Sequence, residues 1–507
     1  MVDAFAQTIS PATIFVKDGL ITKIEKTNLP VDTKLSFIMP GFIDSHVHIE
    51  SSMLVPTEFA RLAVVHGTIA TVSDPHEIAN VCGMDGVQFM LDNAKQSPFH
   101  FYFGAPSCVP ATLFETAGAT LNSNDIKKLL AKPEIFYLSE MMNFPGVLHG
   151  DEEVLKKIAA AKLACKPVDG HAPGLSGDDA KKYIDAGIST DHECFNLEEA
   201  AWKLKCGMKI IIREGSAAKN FDALIPLLKG HPQQMMFCSD DKHPDSLVEG
   251  HINQLCKRAV AAGIPIFNVI AAACINPVAH YQLDIGLLRA GDAADFIVVE
   301  DLVEFDVFQT FIGGQLVAEN KQTLLPSVHV EPINHFNCEP ISVNDIVYPC
   351  SVQEKIPVIE AIDGELITNK LFFQPKVNDT KIVSDIENDI LKIVVVNRYA
   401  KAPPAIAFIK NFGIVSGAIA SSVAHDSHNI IAVGADDESI IQAINLIIKH
   451  KGGICCVDKN EEEILSLPIA GLMNSDDGYE VAAQYSKLDK KAKAMGSNLS
   501  APFMTLS

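Results

Sequence analysis

The sequence predicts an α/β protein whose central unit is a closed (β/α)8 barrel, similar to a TIM barrel. Two observations support this prediction. Between residues 37 and 262, apolar runs rich in β-forming residues alternate eight times with amphipathic helical stretches. Histidines and acids follow most of these runs, and barrel enzymes carry their active sites at the carboxyl ends of the strands. A doubly wound sheet is the competing interpretation, but only a closed barrel brings the first and last strands together.

Each predicted barrel strand is a short apolar run, and each is followed by a helical stretch with one apolar face. The predicted strands are Phe37–Ile43, Thr68–Ser73, Phe99–Ala105, Glu134–Ser139, Pro167–Gly170, Gly187–Thr190, Met208–Ile212 and Met235–Ser239. The predicted helices are Pro56–Val65, Gly83–Lys95, Asp125–Ala131, Glu152–Ala164, Gly177–Ala186, Leu197–Cys206, Asn220–Leu228 and Pro244–Ala262. The barrel is therefore expected to cover residues 37–284.

Two further units are predicted beside the barrel. Residues 1–36 contain a hairpin signal, Asp18-Gly19, between β-like segments, and residues 285–330 add a turn-rich run and short strands. These two flanks are expected to form one small β-sandwich. After a linker rich in Pro and Asn, residues 345–507 alternate strands with helices such as Glu438–His450 and predict a C-terminal α/β domain.

Composition narrows the classes of partner. The formal net charge is −22, which makes a nucleic-acid backbone or an anionic membrane an unsuitable partner. The sequence has no apolar stretch of about 20 residues and no signal-peptide pattern. The twelve cysteines are scattered and include no Cys-x-x-Cys pair, as in a protein of a reducing compartment. A cytoplasmic protein that acts on a small molecule is the expectation.

The chemistry is predicted at the strand ends. His46 and His48 follow the first strand with i, i+2 spacing, which points both imidazoles to the same side of a strand. The remaining strand-end residues are His76 and Glu77, Glu140, His171, His192 and Glu193, Arg213 and Glu214, and Asp240 and Asp241. Singly, each could be an ordinary polar residue at a barrel rim. Jointly, four histidines and two acids predict two metal ions roughly 3.5–4 Å apart that share a carboxylate.

At these positions the chain resembles the amidohydrolase superfamily and, within it, the adenine deaminases. The resemblance covers most of the chain. Its blocks are PGFIDSHVHIESS (40–52), SDPHEIANV (73–81), DGHAPGL (169–175), TDHE (190–193), REGSAA (213–218), CSDDKHP (238–244) and SSVAHDSHNI (421–430). The His-x-His block identifies only the superfamily, whereas the DPHEIAN and REGS blocks are similar to adenine deaminases in particular.

The resemblance implies a ligand set for two divalent transition-metal ions. It places His46, His48 and Asp240 on one metal and His171 and His192 on the other. Many relatives bridge the metals with a carbamylated lysine on the fourth strand, and Glu140 stands at that position here. Manganese is the metal we expect, with iron and zinc as alternatives that the mixed nitrogen and oxygen ligands also accept.

The resemblance also implies a reaction, the hydrolysis of adenine to hypoxanthine and ammonia by a metal-bridging hydroxide that attacks C6. A carboxylate must relay the proton, and Asp240 is the expected relay, although Asp241 beside it is the alternative that a register error would produce. Glu77 is expected to act as a second acid or base, or else to cap the helix that begins near Ile78. The expected substrate-binding residues are His76, Glu77, Glu193, Arg213 and Asp241, and Arg213 alternatively neutralises the acidic mouth.

Some alternatives stay open. Another amidohydrolase activity, on a cyclic amide or a different aminated heterocycle, is one, and an inactive barrel kept as a scaffold is another. The superfamily resemblance also implies a homo-oligomer. In the C-terminal domain, His425, Asp426, His428 and Asn429 form a loop that could cover the barrel mouth or could be a polar turn. Asn397-Arg398-Tyr399 stands where the family often has a histidine, which leaves the role of this domain open.

Overall fold

Eight parallel strands surrounded by helices form the centre of the protein, as the sequence predicts. The computed structural model describes residues 1–27, 35–350, 355–365, 367–459 and 461–507. The predicted sandwich (1–36) and C-terminal domain (345–507) therefore each include residues that lie outside the described ranges. The barrel strands are Phe42–Val47, Thr68–Ser73, His100–Ala105, Ile135–Met141, Val168–Gly170, Thr190–Asp191, Lys209–Arg213 and Met235–Cys238.

Hydrogen bonds between the first and eighth strands close the barrel. The first five strands pair in parallel in chain order, and so do the last three. The amide of Ser189 donates to the carbonyl of Val168 (2.8 Å), which joins these two groups of strands. The amide of Asp240 donates to the carbonyl of His46 (3.0 Å), and Val47 pairs with Asp240 in a parallel bridge. Closure therefore places the end of the eighth strand against the two histidines of the first.

The first barrel strand begins later than predicted. The apolar run 37–43 was expected to be one strand, but Phe37–Pro40 pairs antiparallel with Phe296–Val299 in a separate sheet. The chain then passes through Gly41 into the barrel strand Phe42–Val47. The first of these strands is half-buried at Phe37 and Ile38 and the second is fully buried, so the run is apolar throughout and carries no sign of the change of sheet. A Cβ at Gly41 would lie 2.5 Å from Ile69 Cδ1, so close packing requires glycine at this point.

Helices follow the barrel strands with bounds close to the predicted ones. They are Pro56–Ala63, His76–Ala94, Ser123–Leu130, Phe144–His149, Glu152–Leu163, Gly177–Asp185, Leu197–Lys205, Phe221–Leu224, Pro244–Glu249, Ile252–Ala261, Ile266–Ile270 and Asn276–Tyr281. The helix expected from Gly83 starts at His76 instead and is kinked at Gly83, which has φ 59°. The single helix expected over 244–262 is two helices. In the described part of the chain, no helix combines the length and apolar character needed to cross a membrane.

The two flanks of the barrel pack together beside it. The strands Phe37–Pro40, Phe296–Val299, Val307–Ile312, Gln315–Glu319 and Gln322–Thr323 form an antiparallel sheet. The N-terminal hairpin, Ala12–Lys17 and Leu20–Lys26, turns at Asp18-Gly19. Its buried residue Ile21 packs with Leu288, Ala294 and Phe296 from the other flank.

The C-terminal domain is a mixed eight-stranded sheet with helices. In spatial order its strands are Asn369–Phe373, Ile356–Glu360, Ala405–Lys410, Ile390–Val396, Ile430–Gly434, Ala418–Ser421, Gly453–Asp458 and Glu461–Ser466. Its helices are Asp437–His450, Gly478–Ala494 and Pro502–Leu506. The three elements that the sequence predicts here, near 392–397, 406–410 and 438–450, are present with small shifts of their ends.

Polar contacts dock the C-terminal domain onto the barrel beside its first and eighth strands. The amide of Asn474 donates to the carbonyl of Met53 (2.9 Å), and Arg61 Nη1 binds Asp477 Oδ2 (2.8 Å). Tyr485 OH lies 2.5 Å from Nδ1 of His243, which follows the eighth strand. These contacts hold the domain over the mouth at which the strand-end histidines lie.

Candidate active site

Asp44 lies two residues before His46 on the first strand, and it holds the first and eighth strands in register. Its Oδ1 accepts hydrogen bonds from the amides of Ser239 (3.0 Å) and His46 (3.3 Å). Its Oδ2 lies 2.8 Å from Nε2 of His251. Since Ser239 directly precedes Asp240, this buried carboxylate fixes the distance between His46 and Asp240.

Glu140 lies at the centre of the histidine cluster, and its two oxygens face different partners. Its Oε1 is 3.2 Å from Nε2 of His48. Its Oε2 is 2.8 Å from Nδ1 of His171 and 3.1 Å from Nε2 of His192. A carboxylate placed between two groups of imidazoles has the arrangement that a bridging ligand needs.

Asp240 faces the other side of the His-x-His pair. Its Oδ1 lies 3.3 Å from Nε2 of His46 and 3.4 Å from Nε2 of His48. Its Oδ2 accepts a hydrogen bond from Nη1 of Arg213 (2.9 Å), and the same nitrogen binds Glu193 Oε1. Arg213 is thus a buried cation that links two acids, which favours the neutralising role over direct contact with substrate.

The buried imidazole nitrogens fit a metal centre. Nε2 of His46 and Nε2 of His48 face each other at 3.2 Å, so both nitrogens can be directed at one cation when neither of them carries a proton. In the described part of the chain, both ring nitrogens of His192 are buried without a hydrogen bond, and Nε2 has only ion-pair contacts, the nearest with Glu140 Oε2 at 3.1 Å. Groups of three donors, such as His46, His48 and Asp240, lie within 4.8 Å of one another. Mixed nitrogen and oxygen donors of this kind suit divalent transition metals.

Neighbouring charges keep the carboxylates of the cluster ionised. Burial works against ionisation, but His171, His192 and His48 hold the pKa of Glu140 well below its ordinary value. Burial opposes the ionisation of Asp240 too, and Arg213 and the two strand-end histidines hold its pKa well below the usual range. Both acids therefore present anionic oxygens, which bind a divalent cation more strongly than neutral carboxyls do.

A cavity of about 340 Å³ opens above this cluster, between the barrel and the C-terminal domain. Its barrel wall includes the strand-end residues His48, His76, Glu77, Glu140, His171, His192, Glu193, Arg213, Asp240 and Asp241. Its opposite wall comes from the C-terminal domain and includes Ile362, Glu365, Ile367, His425, Asp426 and Thr505. All of the predicted substrate-binding residues line this cavity. The predicted metal ligands line it too, except His46, which is fully buried behind it.

Glu77 belongs to a second polar cluster beside the cavity. Ser51 Oγ lies 2.8 Å from Glu77 Oε1 and 2.6 Å from Asp241 Oδ1. The amide of Ile78 donates to Glu50 Oε1 (3.2 Å), so Glu50 fills the position that the capping alternative assigned to Glu77. Burial and the nearby charge of Glu77 raise the pKa of Glu50 to about 8. The carboxylate of Glu77 is thereby left available to the cavity.

Three residues that support the site were missed by the sequence interpretation. Asp74 Oδ2 lies 3.1 Å from Nδ1 of His76, and Glu50 contacts the start of the next helix. Lys203 is a buried lysine that donates to the carbonyl of Ala172 and to Asp191 and Glu199. Asp74 and Glu50 lie within the quoted motif blocks, so their positions were visible, whereas a lysine on a helix carries no signal of burial.

Two family models match the chain. The amidohydrolase family matches residues 37–317, and the adenine deaminase C-terminal domain matches residues 365–507. The first range includes the barrel and most of its flanking sheet, and the second includes most of the C-terminal sheet.

Curated relatives match over the whole chain. Adenine deaminase of Sulfurovum sp. (strain NBC37-1) is 55% identical over 507 residues, which is 100% of this chain and 93% of the relative. The enzyme of the same name from Salinibacter ruber is 52% identical and covers 100% of this chain and 92% of the relative.

Among solved structures, the β-aspartyl dipeptidase of Fervidobacterium islandicum has 14% identity and a TM-score of 0.47, and covers 62% of this chain and 94% of its own. The N-acetyl-D-glucosamine-6-phosphate deacetylase of Mycobacterium smegmatis has 16% identity and a TM-score of 0.46, with 60% and 94% covered. The family models and the full-length curated relatives, rather than these distant folds, decide the assignment. The chain belongs to the adenine deaminases of the amidohydrolase family.

Proposed function

We propose that the protein is an adenine deaminase, which hydrolyses adenine to hypoxanthine and ammonia. The observation that carries this function is the chain's likeness, at about half identity and full length, to curated adenine deaminases. The convergence of histidines and acids from separate strands on one cavity supports it, because a hydrolytic site needs both metal donors and proton carriers.

The proposed metal centre takes its donors from the cluster around Glu140. His46, His48 and Asp240 would hold one divalent ion, and His171 and His192 would hold the other, with Glu140 between them. When bound, the two ions would supply Lewis acidity and lower the pKa of water, which provides a nucleophile at neutral pH. Manganese is our proposal for the metal, and the same donors also accept iron or zinc.

Asp240 is the proposed proton relay between water and the purine. Arg213 fixes its Oδ2, so the carboxylate keeps one orientation while Oδ1 faces the histidines and the cavity. Asp241 instead accepts a hydrogen bond from Ser51, and no ion pair with His46 or His192 is seen for it in the described part of the chain. This difference favours Asp240 over its neighbour as the residue that moves a proton to the leaving amine. Protonation matters because ammonia leaves far more readily than an amide ion.

Substrate recognition is proposed for the polar side chains that face the cavity. Glu77 and His76 lie on one side of it, and Asp241 lies beside Glu77. Glu193 also lines the cavity, and Arg213 contributes by holding Glu193 and Asp240 rather than by contact with adenine. A cavity near 340 Å³ is at the small end of ligand sites and suits a single purine base. The substrate partner is therefore proposed to be the small molecule adenine itself.

The test is the reaction of manganese-loaded protein with adenine, followed by ultraviolet absorbance and by ammonia release. We expect both signals for the unaltered chain and neither for His46→Gln. His149→Gln is the matched control, since His149 is exposed and lies outside the cavity, and it should retain activity. Hydrolysis of a cyclic amide without any change in the adenine spectrum would favour the other amidohydrolase activity. If the unaltered chain binds no metal and turns over neither substrate, the scaffold alternative is favoured.

A homo-oligomer and a cytoplasmic location remain predictions of the resemblance and of the composition. Size-exclusion chromatography with light scattering tests the first, and a mass of one chain would contradict it. Fractionation of the source cells tests the second, and recovery of the protein outside the cytoplasm would contradict it.

A further inference from the structure

A loop of the C-terminal domain enters the barrel cavity and meets the barrel at two ion pairs. Nδ1 of His425 lies 3.3 Å from Glu77 Oε1. Next to it, Asp426 Oδ1 lies 3.5 Å from Nε2 of His76. The loop offers a base and then an acid, and the barrel offers an acid and a base in return. This pairing fixes the loop against the helix start that carries His76 and Glu77.

The second ring nitrogen of His425 has no protein partner. Its Nε2 is buried, and no hydrogen bond reaches it from the part of the chain that the structure describes. His425 lines the same cavity as Glu140 and Asp240. A buried polar atom without a partner is costly, and in a ligand cavity the bound ligand is what satisfies it.

The surroundings of His425 favour a proton on both ring nitrogens. Burial opposes the charged form, but the carboxylates of Glu77, Asp241 and Asp426 raise the pKa of this histidine above its ordinary value. With Nδ1–H directed at Glu77, the remaining N–H is on Nε2. Among the groups of a purine, only a ring nitrogen with a lone pair accepts such a hydrogen bond well.

We propose that Nε2 of His425 donates a hydrogen bond to a ring nitrogen of the bound purine, while Glu77 holds the imidazole in place. The inference rests on the proposed function and deepens it, because it gives the C-terminal domain a direct part in substrate specificity. His425 is then a substrate-binding residue, and Glu77 is its positioning residue as well as a wall of the cavity.

Deaza analogues of adenine test the proposal, because each replaces one ring nitrogen with C–H. The kcat and KM of adenine and of 1-, 3- and 7-deazaadenine are measured for the unaltered chain and for His425→Phe. An analogue that is not turned over is measured as an inhibitor instead. We expect one of the three to bind roughly 10- to 100-fold more weakly than adenine to the unaltered chain, as for a lost hydrogen bond from a charged donor.

The decisive result is the comparison between the two proteins. The binding of adenine to His425→Phe should be weaker by the same factor by which the unaltered chain binds that one analogue more weakly than adenine. The variant should then bind adenine and that analogue equally well. His425→Gln keeps an N–H donor, so it should retain part of the discrimination between adenine and that analogue. If all three analogues bind the unaltered chain as adenine does, or if the discrimination survives in His425→Phe, the proposal is overturned.

Two further measurements separate this proposal from simpler explanations. Asp426→Asn weakens the docking of the same loop without removing the imidazole, so it should affect adenine and all deaza analogues equally. If Asp426→Asn removes the same discrimination as His425→Phe, the position of the loop explains the effect and the proposed contact is wrong. A phenylalanine variant that does not fold leaves the deaza series on the unaltered chain as the test. Absence of any activity of the unaltered chain on adenine would refute the proposed function instead.

Discussion

Lys203 offers the sharpest test of how the barrel supports its strand-end residues. Its ammonium group is buried and donates three hydrogen bonds, to the carbonyl of Ala172 (2.8 Å), to Asp191 Oδ2 (2.5 Å) and to Glu199 Oε1 (2.7 Å). Ala172 follows His171 in the chain, and Asp191 precedes His192. One side chain thus ties together the two strand ends that carry these histidines.

Replacement of Lys203 with methionine keeps most of the volume and removes the charge. Asp191 and Glu199 are then left buried without their cation, and loss of one partner from a buried pair costs about 3–5 kcal/mol. For a domain of the barrel's size, each kcal/mol lowers the thermal midpoint by about 2–4 °C. The Lys203→Met variant should therefore unfold roughly 6–20 °C below the unaltered protein at pH 7.

The difference in stability between the unaltered protein and Lys203→Met should depend on pH in a defined direction. Burial raises the pKa of Asp191, but the charge of Lys203 more than offsets this and leaves the folded pKa below the ordinary value. The stability gained from a lowered acid pKa is complete above the unfolded pKa of about 4, and it is lost as pH falls through the folded pKa. The gap between the two proteins should thus be full at neutral pH and should shrink in acid below about pH 4.

Thermal unfolding followed by circular dichroism measures the effect, with metal content per chain as a second measurement. Lys205→Met is the matched control, because Lys205 lies on the same helix but is exposed. The control should unfold within a degree or two of the unaltered protein. A Lys203→Met variant that unfolds with its control, and that retains the same metal content, would refute the reasoning.

Three further changes probe the site and its cover. Asp240→Asn should lower kcat by about 10²–10⁴-fold with an unchanged circular dichroism spectrum, and full activity would contradict its role as proton relay. Glu140→Gln should reduce the metal content per chain, measured by elemental analysis after dialysis, because a neutral amide binds divalent cations more weakly than a carboxylate; an unchanged content would exclude a bridging role. Tyr485→Phe removes the hydroxyl that contacts His243 across the domain interface and should cost about 1–3 kcal/mol of stability, read as a lower thermal midpoint. A Tyr485→Phe midpoint equal to that of the unaltered protein would show that this contact contributes nothing.

The barrel could be predicted from sequence because its signals are local. Each strand is an apolar run, and the polar residue that follows it lies at the barrel mouth by the geometry of parallel strands. The prediction failed at 37–43, where two strands of different sheets form one apolar run. Because the run is half-buried or buried along its length, it lacks the alternation of polar and apolar residues that would mark a strand with one exposed face.

The wall of the cavity opposite the barrel could not be predicted, because it depends on how a second domain is placed. His425 and Glu77 are distant in the chain, and nothing near either residue specifies their contact at 3.3 Å. The histidines and acids of the loop marked it as unusual, but they equally fitted a polar turn. The contacts that decide between these readings come from Asn474, Asp477 and Tyr485, whose side chains and backbone dock the domain onto the barrel.

Asp240 and Asp241 show why the sequence alone could not choose between adjacent acids. Asp240 has φ 52°, a left-handed conformation that non-glycine residues adopt only where the surroundings hold it. The turn at this residue directs Asp240 to His46, His48 and Arg213, while Asp241 reaches Ser51. In a regular strand, neighbouring side chains point to opposite faces, but the sequence does not indicate which of the two faces the histidines. The hydrogen bond from Ser239 to Asp44 determines which of the two acids faces the histidines, since it fixes where the eighth strand ends relative to the first. A one-residue slip there would put Asp241 in the place of Asp240, the proposed proton relay, and would leave Arg213 with only one of its two acids.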